Sequence, residues 1–141
     1  MEVNVTAIWH LSKLCAPYMK EAGSGNIVNI ASVLGLVGSA PIKQAHYCAS
    51  KGAVINLTRE LGMQWARRGI RVNALCPGWF PSEMTEGMED ETSMGFLRSN
   101  SPLPRMGELH ELDGALLLLA SDAASFMIGQ HVVVDGGWTA R

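Results

Sequence analysis

Apolar spacing alternates between helical and extended stretches along this chain, and that alternation confines it to a parallel sheet joined by crossover helices. From Glu2 to about Ala22, Val5, Ile8, Leu11, Leu14, Cys15 and Tyr18 recur at helical spacing, and Gly23-Ser24-Gly25 stops the helix. Pro17 falls inside that pattern and removes one backbone donor, which predicts a kink. Asn26 to Ala31 is a short β-branched run bounded by glycine and reads as a buried strand. A second helix is expected from Tyr47 to Arg68, with Val54, Leu57, Leu61 and Trp65 on one stripe. Ala49, Ala53 and Ile55 make its other faces apolar too, so more than one side should be covered. Gly69 closes it, and Ile70 to Leu75 is the next strand. Cys76 to Gly107 reads as a long excursion holding one short helix near Ser93 to Ser99. Glu108 to Ala120 is a third helix, continuing irregularly to Met127, and His131 to Asp135 is the last strand. Three strands are fewer than such a sheet normally holds, so the chain reads as half of a domain.

Composition narrows the function. The chain has 141 residues, 48% hydrophobic and 17% charged, which supplies a core and leaves too little charge for disorder. A net charge of −2 gives no broad basic face, so nucleic acid is not an expected partner. The most apolar stretch, Ala115 to Ala120, is far too short to cross a bilayer, and no basic-then-apolar leader opens the chain. A cytoplasmic protein with no membrane partner is expected. Three cysteines, Cys15, Cys48 and Cys76, form no C-x-x-C pair and read as small buried hydrophobes in a reducing compartment. His10, His46, His110 and His131 lie too far apart for a metal-binding helix, and no metal is expected.

The chemistry concentrates at strand ends. Tyr47 and Lys51 stand four apart at the start of the second helix, so both project from one face. An ammonium held beside a phenol favours the phenolate and brings tyrosine toward acid–base work. Taken singly, such a tyrosine is more often packing and such a lysine a solvated charge. Ser32, however, follows the first strand at its carboxyl end, where open α/β sheets place their ligand crevice. The second strand also ends there, in Cys76-Pro77-Gly78-Trp79, a turn whose backbone can approach a flat ligand.

These pieces closely resemble the short-chain dehydrogenase/reductase family. They are Asn4 in V-N-V-T-A, Ser32 in N-I-A-S-V-L-G, Tyr47 and Lys51 in Y-C-A-S-K-G-A, R-V-N-A-L-C-P-G-W at 71–79, and V-D-G-G-W at 134–138. Their order and spacing span nearly the whole chain, with two extra loop residues between Ser32 and Tyr47. The resemblance implies the C-terminal half of a doubly wound parallel-sheet (Rossmann-like) α/β domain over residues 1–141. It also implies hydride transfer between NAD or NADP and the carbonyl or alcohol carbon of a small-molecule substrate. Tyr47 would be the general acid in reduction and the base in oxidation. Lys51 would favour its phenolate and, with Tyr47, face the nicotinamide ribose. Ser32 would hydrogen-bond the substrate oxygen, and Asn4 would position a water linking Lys51 to solvent. Read on its own, Asn4 is instead a polar cap of the first helix. Pro77, Gly78, the Phe80 backbone and the Ser82 hydroxyl match the segment that contacts the nicotinamide carboxamide, although the family more often has threonine where Ser82 stands.

One departure is large. The family carries a glycine-rich turn after its first strand that seats the pyrophosphate on a helix N-terminus, and an acidic or basic residue after its second that selects the cofactor. Neither motif is present: Gly23-Ser24-Gly25 follows a helix, and Gly35-Leu36-Val37-Gly38 follows the Ser32 strand. The N-terminal, pyrophosphate-binding half is therefore expected to be absent, and the 141-residue chain alone to be inactive. The rival reading is a catalytically inactive truncated module that persists through helix-mediated association.

Trp79 to Met106 matches the family's substrate-covering segment, and Trp79, Phe80, Met84, Met88, Met94, Phe96 and Leu97 suggest an apolar, adaptable lid. The acidic cluster Glu83, Glu86, Glu89, Asp90 and Glu91 reads as solvated surface. The family's helices matching residues 2–22 and 47–68 pack against symmetry mates. A homodimer or homotetramer is expected on that account, with Trp9 and Trp65 anchoring the contact. Family members with this closing pattern include 3-oxoacyl-carrier-protein reductases, glucose dehydrogenases and general alcohol and ketone oxidoreductases, and no residue here chooses among them.

Overall fold

The computed structural model describes residues 1–88 and 90–140; Glu89 of the acidic cluster lies outside them. A π-helical turn at Glu2–Thr6 leads into α1 (Ala7–Ala22), followed by β1 (Gly25–Ile30), α2 (Ala45–Trp65) and β2 (Ile70–Pro77). The chain continues through α3 (Glu91–Asn100) and α4 (Asp113–Ala120) to β3 (His131–Val134). The strands form one parallel sheet in the order β1-β2-β3. Its registers run from Gly25 opposite Ile70 to Ile30 opposite Leu75, and from Ala74 opposite His131 to Pro77 opposite Val134.

β2 is the central strand and has helices over both faces, as its continuous apolar run requires. Ile70, Val72, Ala74 and Cys76, all 0% exposed, alternate onto one face. There Ile70 and Val72 meet Ala16 of α1 and Leu61 and Trp65 of α2, while Ala74 and Cys76 meet Val54 and Ile55. Residues of opposite parity face α4 and the segment beyond it. The Arg71 guanidinium donates to the carbonyl oxygens of Leu119, Ser121 and Ala124, tying β2 to the end of α4 and the turn after it. Fully buried Asn73 donates to Met127 O at 2.8 Å and accepts from Gln130 N–H at 2.9 Å, fixing the approach to β3. Gly69 ends the second helical segment at φ +76°, a conformation that admits glycine readily.

α1 is continuous through Pro17, which lies on its exposed side. Several expectations change. α1 buries only Ser12 and Ala16, so Leu11, Leu14 and Tyr18 point away from the sheet at 62, 66 and 75% exposure. Cys15 lies on that outward side and is exposed, contrary to its reading as a buried hydrophobe, whereas Cys48 is half-buried and Cys76 buried. Trp65, expected to anchor a contact between copies, is 8% exposed inside the chain's own core. The third helix opens as a 3-10 turn at Leu109–Leu112 before α4, and a separate turn at Asp122–Ala124 replaces its irregular continuation. Among the described residues no helix is long and apolar enough to cross a membrane.

Candidate active site

The chain leaves β1 at Ile30 and turns sharply at Ser32, whose extended backbone opens the 3-10 turn Val33–Gly35. Ser32 Oγ accepts the Leu34 N–H at 3.1 Å, which fixes the side chain and leaves its own proton free to be donated. Buried Val33 and Leu34 hold this turn against Trp138, with Tyr47 beside them. Gly35 allows the turn to lie directly on α2, since a Cβ there would come within 2.6 Å of the Lys51 carbonyl carbon. The S-V-L-G sequence thus brings Ser32 to the helix that carries Tyr47 and Lys51.

Tyr47 and Lys51 rise from the first two turns of α2, with Lys51 Nζ 5.6 Å from the centroid of the Tyr47 ring. Lys51 Nζ donates to Ile30 O at 2.9 Å. Burial holds the Lys51 ammonium below its ordinary value, against a smaller opposing effect of Cys76. Cys76 is itself 0% exposed, and burial pushes its thiol up to about 11, opposed by a hydrogen bond from the Ser32 backbone and by the charges of Lys51 and Arg59.

Asn4 is not a helix cap. It sits in the π-helical turn and donates from Nδ2 to Ser50 Oγ at 3.1 Å, while Ser50 Oγ donates to Tyr47 O at 2.8 Å. Asn4 therefore stands behind the Tyr47–Lys51 segment rather than among the residues that line the cleft.

The third wall comes from the end of β2. Gly78 N–H donates to Val134 O at 2.8 Å, carrying the sheet pairing just past Pro77, and Gly107 N–H donates to Trp79 O at 2.9 Å. These bonds fold the excursion back over the strand ends. Phe80 is buried, and Trp79 meets Trp138 edge-on with ring centroids 5.6 Å apart. Thr85 Oγ1 accepts the Ser82 N–H at 2.8 Å and so shapes the turn that presents the Ser82 hydroxyl.

Ser32, Tyr47, Lys51, Pro77, Gly78, Phe80 and Ser82 all line one cleft of about 360 Å3. Gln44, Thr85, Leu109 and Leu112 line it as well, and the sequence reading named none of them as site residues. Gln44 was legible as a polar residue one helical turn before Tyr47. Leu109 and Leu112 come from a distant segment whose spacing marks an apolar stripe without saying what it faces. A second cavity, about 230 Å3, adjoins Trp79 and Phe80 but has its charged groups satisfied internally. There Arg105 holds Glu111 down to about 2 through a two-pronged ion pair at 2.7 and 2.8 Å. For Asp135, burial works to raise the carboxyl, but hydrogen bonds from Thr139 and Gly137 prevail and keep it below its ordinary value. No group of three or more His, Cys, Asp or Glu gathers into a possible metal site among the described residues.

Residues 1–139 match the family model described as enoyl-(acyl carrier protein) reductase. The chain is also 43% identical over 143 aligned residues to gluconate 5-dehydrogenase of Gluconobacter oxydans, covering 99% of this chain and 54% of that protein. It belongs to the short-chain dehydrogenase/reductase family. Another family member, 3-oxoacyl-[acyl-carrier-protein] reductase of Haemophilus influenzae, is 39% identical, with 97% of this chain and 55% of the relative covered. The crystal structure of a gluconate 5-dehydrogenase from Burkholderia cenocepacia, in complex with NADP and tartrate, matches with a TM-score of 0.94 at 38% identity. That match covers 100% of this chain and 55% of the other. The chain thus spans about half the length of the curated relatives it matches. Within the family's Rossmann-like fold, its three parallel strands and their helices carry the cleft just described.

Proposed function

We propose that this chain is the catalytic portion of an NAD(P)-dependent oxidoreductase that interconverts a carbonyl and an alcohol. The observation that carries the reading is the meeting of Ser32, Tyr47 and Lys51 with the Pro77–Ser82 segment on one cleft at the carboxyl ends of β1 and β2.

The donor set suits the ribose and carboxamide end of a nicotinamide cofactor. The Lys51 ammonium has three donors and spends one on Ile30 O, leaving two for ribose hydroxyls. Tyr47 and Ser82 add hydroxyls on either side. The described residues contain no glycine-rich turn from a strand into a helix N-terminus, so the pyrophosphate grip would lie in a further segment. When bound, the cofactor supplies or accepts a hydride at the substrate carbon.

In reduction Tyr47 breaks its O–H bond and gives the proton to the substrate oxygen, which becomes the alcohol O–H; in oxidation it takes that proton back. Ser32 donates to the same oxygen and fixes its direction, while its Oγ stays anchored by the Leu34 N–H. Lys51 stabilises the phenolate that each reduction leaves behind. Asn4, tied through Ser50 to the Tyr47 carbonyl, acts as a positioning residue and would hold the water through which Lys51 exchanges protons with solvent. Cofactor-dependent ketone turnover by the full-length enzyme tests the reading. Ser32→Ala should lower kcat by roughly a hundredfold, the scale of one lost transition-state hydrogen bond. Unchanged turnover would refute it. The 141-residue chain alone should bind NAD(H) or NADP(H) far more weakly than the full-length enzyme in calorimetry.

The outward stripe on α1 favours a second copy of the chain as partner, through helices 2–22 and 47–68, in a dimer or tetramer working in the cytoplasm. The same stripe is what a catalytically inactive module persisting through association would show, and only loss of activity on Ser32→Ala or Tyr47→Phe separates the two readings.

A further inference from the structure

The turn after β3, residues 135–139, touches the excursion near its start, in its middle and near its end. Gly78 lies so close to Asp135 that a Cβ on the glycine would come within 2.7 Å of the Asp135 Cα. The rings of Trp79 and Phe96 have their centroids 5.6 and 6.0 Å from that of Trp138. Leu103 N–H donates to Gly136 O at 3.1 Å, and Gly137 packs against Pro102. Both glycines have positive φ, +62° and +89°, which lets the backbone take this path. The Asp135 carboxylate braces the turn by accepting from Gly137 N–H, Thr139 N–H and the Thr139 hydroxyl.

Trp138, 6% exposed, belongs at the same time to one buried cluster with Val33 and Leu34. Those two residues begin the turn whose Leu34 N–H anchors Ser32 Oγ. Tyr47, Trp79 and Phe96 pack against the same cluster. One ring thus joins the excursion to the turn that aims the Ser32 hydroxyl. Trp138 does not itself line the cleft, so its influence on a reaction there passes through these neighbours. Close-packed interiors transmit strain instead of absorbing it. Lifting the excursion off Trp138 would open a void beside the ring, and the Val33–Leu34 turn would lose its backing in the same step.

We propose that Trp138 is a positioning residue that couples the seating of the excursion over the cleft to the aim of Ser32. A substrate that seats the excursion thereby fixes the hydroxyl that donates to its oxygen. The catalytic consequence rests on the oxidoreductase reading above, whereas the coupling itself is measurable without any substrate.

Hydrogen exchange on the full-length enzyme, read by mass spectrometry, tests the coupling. The amides of Leu34, Gly35, Leu36 and Val37 are bonded within the Ser32 turn, to Ser32 Oγ, Ser32 O and Val33 O, and their exchange reports its integrity. Phe96→Ala changes only the excursion and should speed that exchange roughly fivefold or more. Trp138→Leu should speed it likewise, and Phe96→Ala added to Trp138→Leu should contribute little further. If Trp138→Leu fails to fold by circular dichroism, Trp138→Phe replaces it in the cycle, and the effect of Phe96→Ala should still shrink. A Phe96→Ala effect that is absent, or that is equal with and without Trp138, would overturn the proposal.

Reduction of cyclohexanone by NADPH provides the second arm. Trp138→Leu should lower kcat roughly tenfold, and Trp138→Phe should recover most of that loss. In a Ser32→Ala background Trp138→Leu should cost no more than about twofold, because the group it positions is gone. A loss undiminished by Ser32→Ala would overturn the proposal while leaving the oxidoreductase reading intact. Turnover that Ser32→Ala and Tyr47→Phe leave unchanged would sink that reading and the catalytic consequence with it. If wild type does not reduce cyclohexanone, the exchange cycle alone decides.

Discussion

Lys51 reaches from Nζ to the carbonyl oxygen of Ile30, 2.9 Å away, and so pins the second turn of α2 to the last residue of β1. The bond holds a half-buried ammonium at the mouth of the cleft, close above Cys76 and 5.6 Å from the Tyr47 ring centroid. Electrostatically this is a costly place for a charge, and function rather than stability accounts for it.

Replacing Lys51 with Met should therefore abolish activity without lowering the melting temperature at neutral pH. The folded ammonium titrates below its ordinary 10.5, so the fold binds fewer protons than the unfolded chain as pH approaches that value. The burial cost is full below the folded pKa and is relieved as pH rises toward 10.5. Any stability advantage of Lys51→Met should shrink across that window. Calorimetric melting at a series of pH values measures it, and an advantage that grows with pH would contradict the sign.

Cys76 behaves in the opposite sense. Its folded thiol titrates at about 11 against 9.0 for an ordinary one, so its stabilising contribution is complete below 9.0 and lost as pH climbs through about 11. Wild type should lose stability faster than Cys76→Ala over that interval. Iodoacetamide at neutral pH should reach Cys76 only at the rate of unfolding, which peptide mass spectrometry can follow. Rapid native-state labelling of Cys76 would show that the strand end is open.

Much of this arrangement is legible in the sequence because punctuation and motif coincide. β1 is a β-branched run opened by glycine, β2 ends in Pro-Gly and β3 runs into Gly-Gly, and the observed limits Gly25–Ile30, Ile70–Pro77 and His131–Val134 differ from the sequence reading by no more than two residues. β2 extends to Pro77 because pairing with β3 continues to Val134, a partnership no local pattern reveals. Spacing told which α1 residues share a stripe but not which way it points. Two small residues, Ser12 and Ala16, take the buried side, so the larger ones face outward. The rival reading of Asn4 as a cap arose because its side-chain partner, Ser50, is 46 positions away. Leu109 and Leu112 escaped for the same reason, since the cleft assembles them from a remote turn.

The outward stripe of α1 yields a prediction about assembly. Leu11, Leu14 and Tyr18 form a row of large apolar side chains at 62, 66 and 75% exposure, more than a lone helix leaves in water without a partner. Leu14→Glu combined with Tyr18→Glu should reduce the full-length enzyme to monomers in light scattering, with its far-ultraviolet circular dichroism retained. The row is mostly exposed in the single chain and outside its core clusters, so the substitutions leave that core intact. An unchanged mass would place the assembly contact elsewhere.

The most direct test of the catalytic account is transfer of the hydride itself. In a single turnover, the full-length enzyme loaded with NADPH deuterated at the reactive carbon should place deuterium on the carbonyl carbon of a ketone, detected by mass spectrometry of the alcohol. Tyr47→Phe should leave NADPH binding largely in place, with one ribose-facing hydroxyl lost, and slow that transfer by roughly two to four orders of magnitude, because it lacks the proton donor. Near-normal transfer by Tyr47→Phe would contradict the account.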